Sequence, residues 1–103
     1  MIATPATTMP PVFCAIDTTD LDHAMALAAA MQKVGCGIKL GLEFFNALGP
    51  KGVKDIKDSY QELPLFLDLK YHDIPNTVAG AMRAVAQLEV DYVNVHASGG
   101  LAM

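Results

Sequence analysis

The sequence is poor in cysteine, has no cluster of basic residues and has no apolar stretch of membrane-spanning length. Its 103 residues include 7 basic and 11 acidic side chains, which give a formal net charge of −4. An acidic chain without a basic run is not expected to bind nucleic acid or an anionic membrane surface. No apolar run approaches the roughly 20 residues of a transmembrane helix, so we expect no membrane partner.

The two cysteines, Cys14 and Cys36, both lie in short apolar stretches. Buried reduced thiols are usual for such residues in a cytoplasmic protein, so we expect a cytoplasmic location and no disulfide. Residues 1–11 are rich in threonine and proline, and they lack the basic start and the apolar core of a secretory signal. We expect a flexible arm over residues 1–11 and a folded unit over residues 12–103.

Short apolar stretches alternate with stretches of helical periodicity from residue 12 onwards. Strands are predicted at residues 12–17, 35–41, 64–70 and 90–97. Helices are predicted at residues 21–34, 42–62 and 75–88, with the beginning of a fourth at 101–103. Asp20 supplies N-cap chemistry for the first helix, Gly35 ends it, and Gly49-Pro50 interrupts the second. The charged residues of the second helix, Lys57 among them, are predicted to lie on a solvated face.

Each predicted strand carries a polar residue near its C-terminal end, on the face opposite to its aliphatic side chains. These residues are Asp17, Lys39, Asp68 with Lys70, and His96. Parallel βα units that present polar groups at one end are typical of the mouth of a (β/α)8 barrel. The predicted fold class is therefore α/β, with about four strands forming the first half of a (β/α)8 TIM barrel. Such barrels need about 250 residues, so we expect a fragment that stops at the start of the fourth helix, or half-barrels that pair.

The stretch from Pro64 to Thr77 contains the densest arrangement of chemically active residues. Side chains alternate along a strand, so Asp68 and Lys70 share one face and the leucines beside them share the other. A lone pair of this kind is more often a structural ion pair than a functional site. Here Asp73 adds a second carboxylate and a proline opens the next helix directly afterwards, which favours a functional site.

The run from Asp68 to Thr77 closely resembles the signature of orotidine 5′-phosphate decarboxylases. The resemblance extends to Asp17, to residues 38–41 and to residues 95–100. It implies the decarboxylation of orotidine 5′-phosphate to uridine 5′-phosphate in pyrimidine biosynthesis, with no cofactor and no metal. It also implies a homodimer, in which Asp73 and Thr77 reach the site of the neighbouring subunit. The open strand edges of a half-barrel favour a homodimer or higher self-association as well.

The resemblance assigns catalytic roles to four residues, which are Lys39, Asp68, Lys70 and Asp73. It assigns substrate binding to Asp17, Lys39, Ile74 and Thr77, and a supporting role to His96 and Ser98. Loss of CO₂ leaves a carbanion at pyrimidine C6, so a fixed ammonium there stabilises the developing charge and then delivers a proton. Lys70 is expected to take this role, with Asp68 against the substrate carboxylate.

Two other interpretations stay open. Barrels that decarboxylate 3-keto-gulonate phosphate also carry D-x-K-x-x-D, but they use a metal and have a glutamate where Lys39 stands. Lys39 and residues 74–77 favour orotidylate. The family's phosphate-gripping and pyrimidine-recognising residues lie in the second half of the barrel, so this chain alone is expected to be inactive. The second interpretation is accordingly a non-catalytic half-barrel that only self-associates.

Overall fold

A parallel sheet, in which every strand lies beside the strand that precedes it in sequence, is the centre of the fold. The computed structural model describes residues 12–103, and the predicted arm over residues 1–11 lies outside them. The sheet has the order β1-β2-β3-β4, with β1 at Phe13–Ile16, β2 at Gly37–Leu40, β3 at Leu65–Tyr71 and β4 at Tyr92–Val95. The helices are α1 at Leu21–Val34, α2 at Leu42–Ser59 and α3 at Pro75–Val85. Four parallel strands alternating with helices form the first half of a (β/α)8 barrel, as predicted.

The helix boundaries follow from local capping chemistry. Asp20 caps α1, because its Oδ1 accepts a hydrogen bond from the backbone N–H of Asp22 at 2.9 Å. Gly35 ends α1 in the left-handed conformation at φ 74°. Gly49 breaks α2 into two parts at φ 67° and ψ −168°, a conformation almost restricted to glycine. The predicted interruption of the second helix is therefore confirmed.

The two faces of the sheet are unlike. One face presents fully buried aliphatic residues to the helices, and the resulting core includes Ile16, Ile38, Leu40, Phe44, Val53, Leu65 and Leu67. The opposite face carries an edge-to-face cluster of Phe13, Phe66 and Tyr92, with ring centroids 5.7 to 6.3 Å apart. These three rings are half-buried, whereas the aliphatic residues of the other face are buried. We call this face the inner face.

A buried lysine and its hydrogen-bond partners tie α2 to the beginnings of β3 and β4. The Lys57 side chain is buried, and its Nζ donates to Asp91 Oδ2 at 3.2 Å and to the carbonyl of Leu63 at 3.3 Å. Asp91 Oδ2 also accepts from the backbone N–H of Leu65 at 2.8 Å. The prediction of a solvated face was wrong for Lys57, because its partner lies 34 residues further along the chain.

The chain after β4 differs from the sequence-based expectation. Residues Ala97–Gly99 form a 3-10 turn, and residues 101–103 do not begin a helix. The last turn of the third predicted helix is likewise a 3-10 turn, at Ala86–Leu88. In the described part of the chain, no helix is both long and apolar enough to cross a membrane.

Candidate functional site

Asp68 is the centre of a charge cluster at the C-terminal ends of the strands. Its side chain is buried, and the whole residue is only 6% exposed. Lys39 Nζ donates to Asp68 Oδ2 at 3.0 Å, and Lys70 Nζ donates to Asp68 Oδ1 at 2.8 Å. The lysines are more open, with 28% of the Lys39 side chain and 55% of the Lys70 side chain exposed. One carboxylate therefore holds two ammonium groups, and the cluster carries a net positive charge towards solvent.

Strand geometry explains how these side chains meet. Lys39 lies on β2 beside Phe66 of β3, so it projects from the same inner face as Asp68, two residues further along β3. Lys70 follows Asp68 by two residues, and its ammonium returns to that carboxylate. The structure thus brings together Lys39, Asp68 and Lys70, as the alternation of side chains predicts.

Asn94 joins the cluster from β4 and was not among the predicted site residues. Its Nδ2 donates to Asp68 Oδ1 at 2.8 Å, and its Oδ1 accepts from the backbone N–H of Lys70 at 2.9 Å. The only sequence signal for Asn94 was the alternation of side chains along the strand, which places it on the face of Tyr92 and opposite to Val93 and Val95. Alternation alone, however, does not distinguish an asparagine in contact with the cluster from one in water.

The pKa of the Asp68 carboxyl is held far below its ordinary value. The hydrogen bond from Lys70 is the largest cause, and the hydrogen bonds from Lys39 and Asn94 act in the same direction. Burial opposes them by penalising the charged form, but three donors on one carboxylate outweigh it. Asp68 is therefore an anion throughout the neutral range.

Four other predicted site residues lie outside the charge cluster. Asp17 follows β1 and is exposed, and its Oδ1 lies 3.7 Å from the position that a Cβ atom would take at Gly41. Asp73 is exposed on the loop after β3, and its Oδ1 accepts from the backbone N–H of Ile74 at 2.7 Å. Ile74 is 64% exposed, and Thr77 is exposed in the first turn of α3. An open cleft of about 460 Å³ lies between the end of β3 and α3, and Lys70, Asp73 and Thr77 are among the residues that line it.

The two predicted supporting residues contact each other at the end of β4. His96 Nδ1 lies 2.7 Å from Ser98 Oγ and accepts from the backbone N–H of Ser98 at 3.3 Å. The ring of His96 stacks on that of His72, with centroids 5.0 Å apart and an interplanar angle of 17°. His72 is thus a packing partner of the loop. Within residues 12–103, no three histidine, cysteine or acidic side chains form a cluster able to hold a metal ion.

Comparison with known proteins agrees with this geometry. The sequence profile of the family described as "Orotidine 5'-phosphate decarboxylase / HUMPS family" matches residues 10–103. An orotidine 5′-phosphate decarboxylase of Rhodospirillum rubrum is 59% identical over 96 residues, which are 93% of this chain and 38% of that protein. The chain therefore spans about two fifths of the length of such curated relatives.

Two solved structures share the fold. The orotidine 5′-phosphate decarboxylase of Pyrococcus horikoshii superposes with a TM-score of 0.80 at 26% identity, covering 88% of this chain and 43% of that one. The Methanocaldococcus jannaschii orotidine 5′-monophosphate decarboxylase, complexed with the inhibitor BMP, superposes with a TM-score of 0.78 at 26% identity. That match covers 90% of this chain and 42% of the other.

Proposed function

This chain belongs to the orotidine 5′-phosphate decarboxylase / HUMPS family, and from that premise we propose that it supplies the catalytic charge cluster of an enzyme converting orotidine 5′-phosphate to uridine 5′-phosphate. The reaction is a step of pyrimidine biosynthesis. The observation that carries the proposal is the position of Asp68, whose carboxylate lies 3.0 Å from Lys39 Nζ and 2.8 Å from Lys70 Nζ. We place the activity in the cytoplasm, consistent with the free thiols of Cys14 and Cys36.

Lys70 is the proposed proton donor. Decarboxylation leaves negative charge on a ring carbon, and an ammonium fixed beside that carbon stabilises the charge as it develops. The Lys70 side chain suits this role, because Asp68 anchors its ammonium while more than half of the side chain remains open to a ligand. Protonation of the carbanion by the same ammonium completes the reaction, so neither a metal nor an organic cofactor is required.

Asp68 and Lys39 are the proposed partners of Lys70 in the reaction. Asp68 would lie against the substrate carboxylate. Because Asp68 is an anion at neutral pH, the repulsion between the two carboxylates would disfavour the bound ground state, and this repulsion is relieved when CO₂ leaves. Lys39 holds the second oxygen of Asp68 and would fix its orientation. Asp17, which follows β1, is the proposed contact for ribose, and His96 with Ser98 is the proposed support at the end of β4.

A homodimer is part of the proposal. Asp73, Ile74 and Thr77 are exposed and lie apart from the ion pairs of their own chain. Their exposure supports a role in the substrate site of a second copy, with Asp73 as the fourth charged catalytic residue and Ile74 and Thr77 as substrate contacts. Lys39 in contact with Asp68 also supports orotidylate over 3-keto-gulonate phosphate as the substrate.

The proposal is tested by measuring the decarboxylation of orotidine 5′-phosphate in two proteins. One is this chain alone, and the other is a hybrid in which the chain replaces the 96 aligned residues of the Rhodospirillum rubrum relative. We expect turnover in the hybrid and a loss of at least about 1000-fold in kcat with Lys70→Ala, because the ammonium acts mainly on charge that appears in the transition state.

The matched control is Lys51→Ala, which removes an exposed lysine from the surface of α2. This variant should keep the turnover of the unaltered hybrid. Near-normal turnover in the Lys70→Ala hybrid would remove Lys70 from the mechanism. A folded hybrid without turnover would instead favour a non-catalytic half-barrel that self-associates.

A further inference from the structure

We propose that Asn94 is a positioning residue, which fixes both the backbone of Lys70 and the carboxylate of Asp68 for the reaction. This inference rests on the proposed function and adds a residue to it. Asn94 forms two of three hydrogen bonds in a closed ring. Its Nδ2 donates to Asp68 Oδ1, Lys70 Nζ donates to that same oxygen, and the Lys70 backbone N–H donates to Asn94 Oδ1.

This ring of hydrogen bonds lies where the pairing of β3 with β4 is irregular. Leu67 pairs with Val93 and Tyr71 pairs with Val95, so β3 advances four residues while β4 advances two. The extra residues of β3 form a bulge, and backbone groups within a bulge lose their regular partners. Asn94 is the residue of β4 between the two paired positions, and its side-chain amide supplies the acceptor that the Lys70 N–H requires.

The backbone of Lys70 needs such a restraint. Lys70 has φ 52°, the left-handed conformation, which costs a non-glycine residue about 1 kcal/mol or more. Packing does not hold it, since 55% of its side chain is exposed. Two hydrogen bonds hold Lys70 instead: its backbone N–H donates to Asn94, and its side-chain ammonium donates to Asp68. Asn94 also binds Asp68, so one amide controls both anchors of the lysine.

An amide is the side chain that these partners demand. A backbone N–H can only donate, and an ionised carboxylate can only accept. The partners therefore define the orientation of the amide, with its oxygen towards Lys70 and its nitrogen towards Asp68. A carboxylate in its place would keep the acceptor but turn the donor into a second anion, and an aliphatic side chain would keep neither group.

Two substitutions separate the functions of the two ends of the amide. Asn94→Asp keeps the acceptor for the Lys70 N–H and loses the donor to Asp68, whereas Asn94→Leu loses both. The readouts are NMR measurements on the 103-residue chain, namely the hydrogen-exchange rate of the Lys70 amide and the titration midpoint of the Asp68 carboxyl carbon. Asn46→Leu, a change at an exposed asparagine on α2, is the matched control.

We expect Asn94→Leu to accelerate exchange at Lys70 by about tenfold or more, because the amide loses its acceptor. Asn94→Asp should leave that exchange slow but raise the Asp68 midpoint by about one pH unit or more, because two carboxylates then meet. Neither quantity should change in Asn46→Leu. In the hybrid enzyme, Asn94→Leu should lower kcat on the order of 100-fold with a much smaller change in KM.

The outcomes distinguish this inference from the proposed function. Unchanged Lys70 exchange in Asn94→Leu, or an unchanged Asp68 midpoint in Asn94→Asp, overturns the positioning role whether or not the hybrid is active. If Asn94→Leu does not fold, the titration in Asn94→Asp decides alone. An unaltered hybrid without turnover contradicts the proposed function, while the NMR measurements still show whether Asn94 sets the conformation of Lys70 and the charge of Asp68.

Discussion

At the scale of single residues, the charge of Asp68 couples the candidate site to the stability of the fold. The carboxylate is buried and accepts three hydrogen bonds, from Lys39, Lys70 and Asn94. Each bond favours the ionised form, so the folded chain binds the Asp68 proton more weakly than the unfolded chain does. The same contacts that would prepare the site for a substrate therefore also stabilise the native state, by an amount that depends on pH.

The first prediction concerns that pH dependence. Because the folded pKa of Asp68 is depressed, its stabilisation is fully present above the unfolded pKa of about 3.9 and is lost as pH falls below it. Asp68→Asn should lower the free energy of unfolding by about 2 kcal/mol at pH 7 and flatten its decline below about pH 4. Urea unfolding between pH 2.5 and pH 7 measures both quantities.

The control for this prediction is Asp58→Asn, which changes an exposed carboxylate paired with Lys54 on α2. Exposed pairs of this kind contribute about 0.3–0.5 kcal/mol, so this variant should follow the unaltered chain closely. Parallel pH profiles for the Asp68→Asn variant and the unaltered chain would show that Asp68 does not have a depressed pKa.

At the scale of elements, the break in α2 depends on one glycine. Gly49 combines φ 67° with ψ −168°, and Pro50 follows it, so the two parts of the helix meet at an angle that a regular helix does not allow. The second part of α2 carries Val53 and Ile56 into the core, and Lys57 towards Asp91. The angle at Gly49 therefore sets how this part of the helix packs on the sheet.

The second prediction compares two glycines in helices. Gly49→Ala should lower the free energy of unfolding by about 1–3 kcal/mol, because a side chain is strained at this φ and ψ. Gly80→Ala in α3 should instead raise it by about 0.5–1 kcal/mol, since the added methyl would make only an ordinary contact, 3.6 Å from Arg83. Thermal and urea unfolding of both variants measure the difference. Stabilisation by Gly49→Ala would show that the break is not required.

Local signals in the sequence were sufficient for the bounds of α1 and for the meeting of three charged side chains. Asp20 and Gly35 gave the bounds of α1, because capping acts within a few residues. The contact of Lys39 with Asp68 followed from alternation along the neighbouring strands β2 and β3, and that of Lys70 with Asp68 from their two-residue spacing on β3. The ion pair of Lys57 and the role of Asn94 could not be predicted in the same way. Lys57 projects from a helix, so alternation along strands does not apply to it, and at Asn94 the bulge in β3 interrupts the regular pairing that alternation assumes.

At the scale of the whole molecule, the inner face determines how the chain meets other chains. The helices cover one side of the sheet, while the rings of Phe13, Phe66 and Tyr92 are only half-buried on the other. In the described chain, β1 and β4 each have one neighbouring strand. Apolar surface and unpaired strand edges both favour association.

The third prediction is that the 103-residue chain forms a dimer or a higher oligomer in solution. Ala15→Arg should weaken this association, because Ala15 is exposed on the inner face and a charge there opposes burial. Ala30→Arg, at an exposed position on α1, is the control and should leave the assembly unchanged. Light scattering over a range of concentrations measures the mass of each variant. A monomeric unaltered chain contradicts the prediction.

The neighbour-to-neighbour order of the sheet also has a consequence for synthesis on the ribosome. Each strand pairs with the one made just before it, so the sheet can grow at one edge as the chain emerges. Lys39 is already available when Asp68 appears, whereas Asn94 follows Asp68 by 26 residues. At about 5–20 residues per second, that interval lasts on the order of one to five seconds. During this interval the salt bridges of Asp68 can form, whereas the hydrogen bond from the Lys70 backbone N–H to Asn94 forms only after β4 has been synthesised.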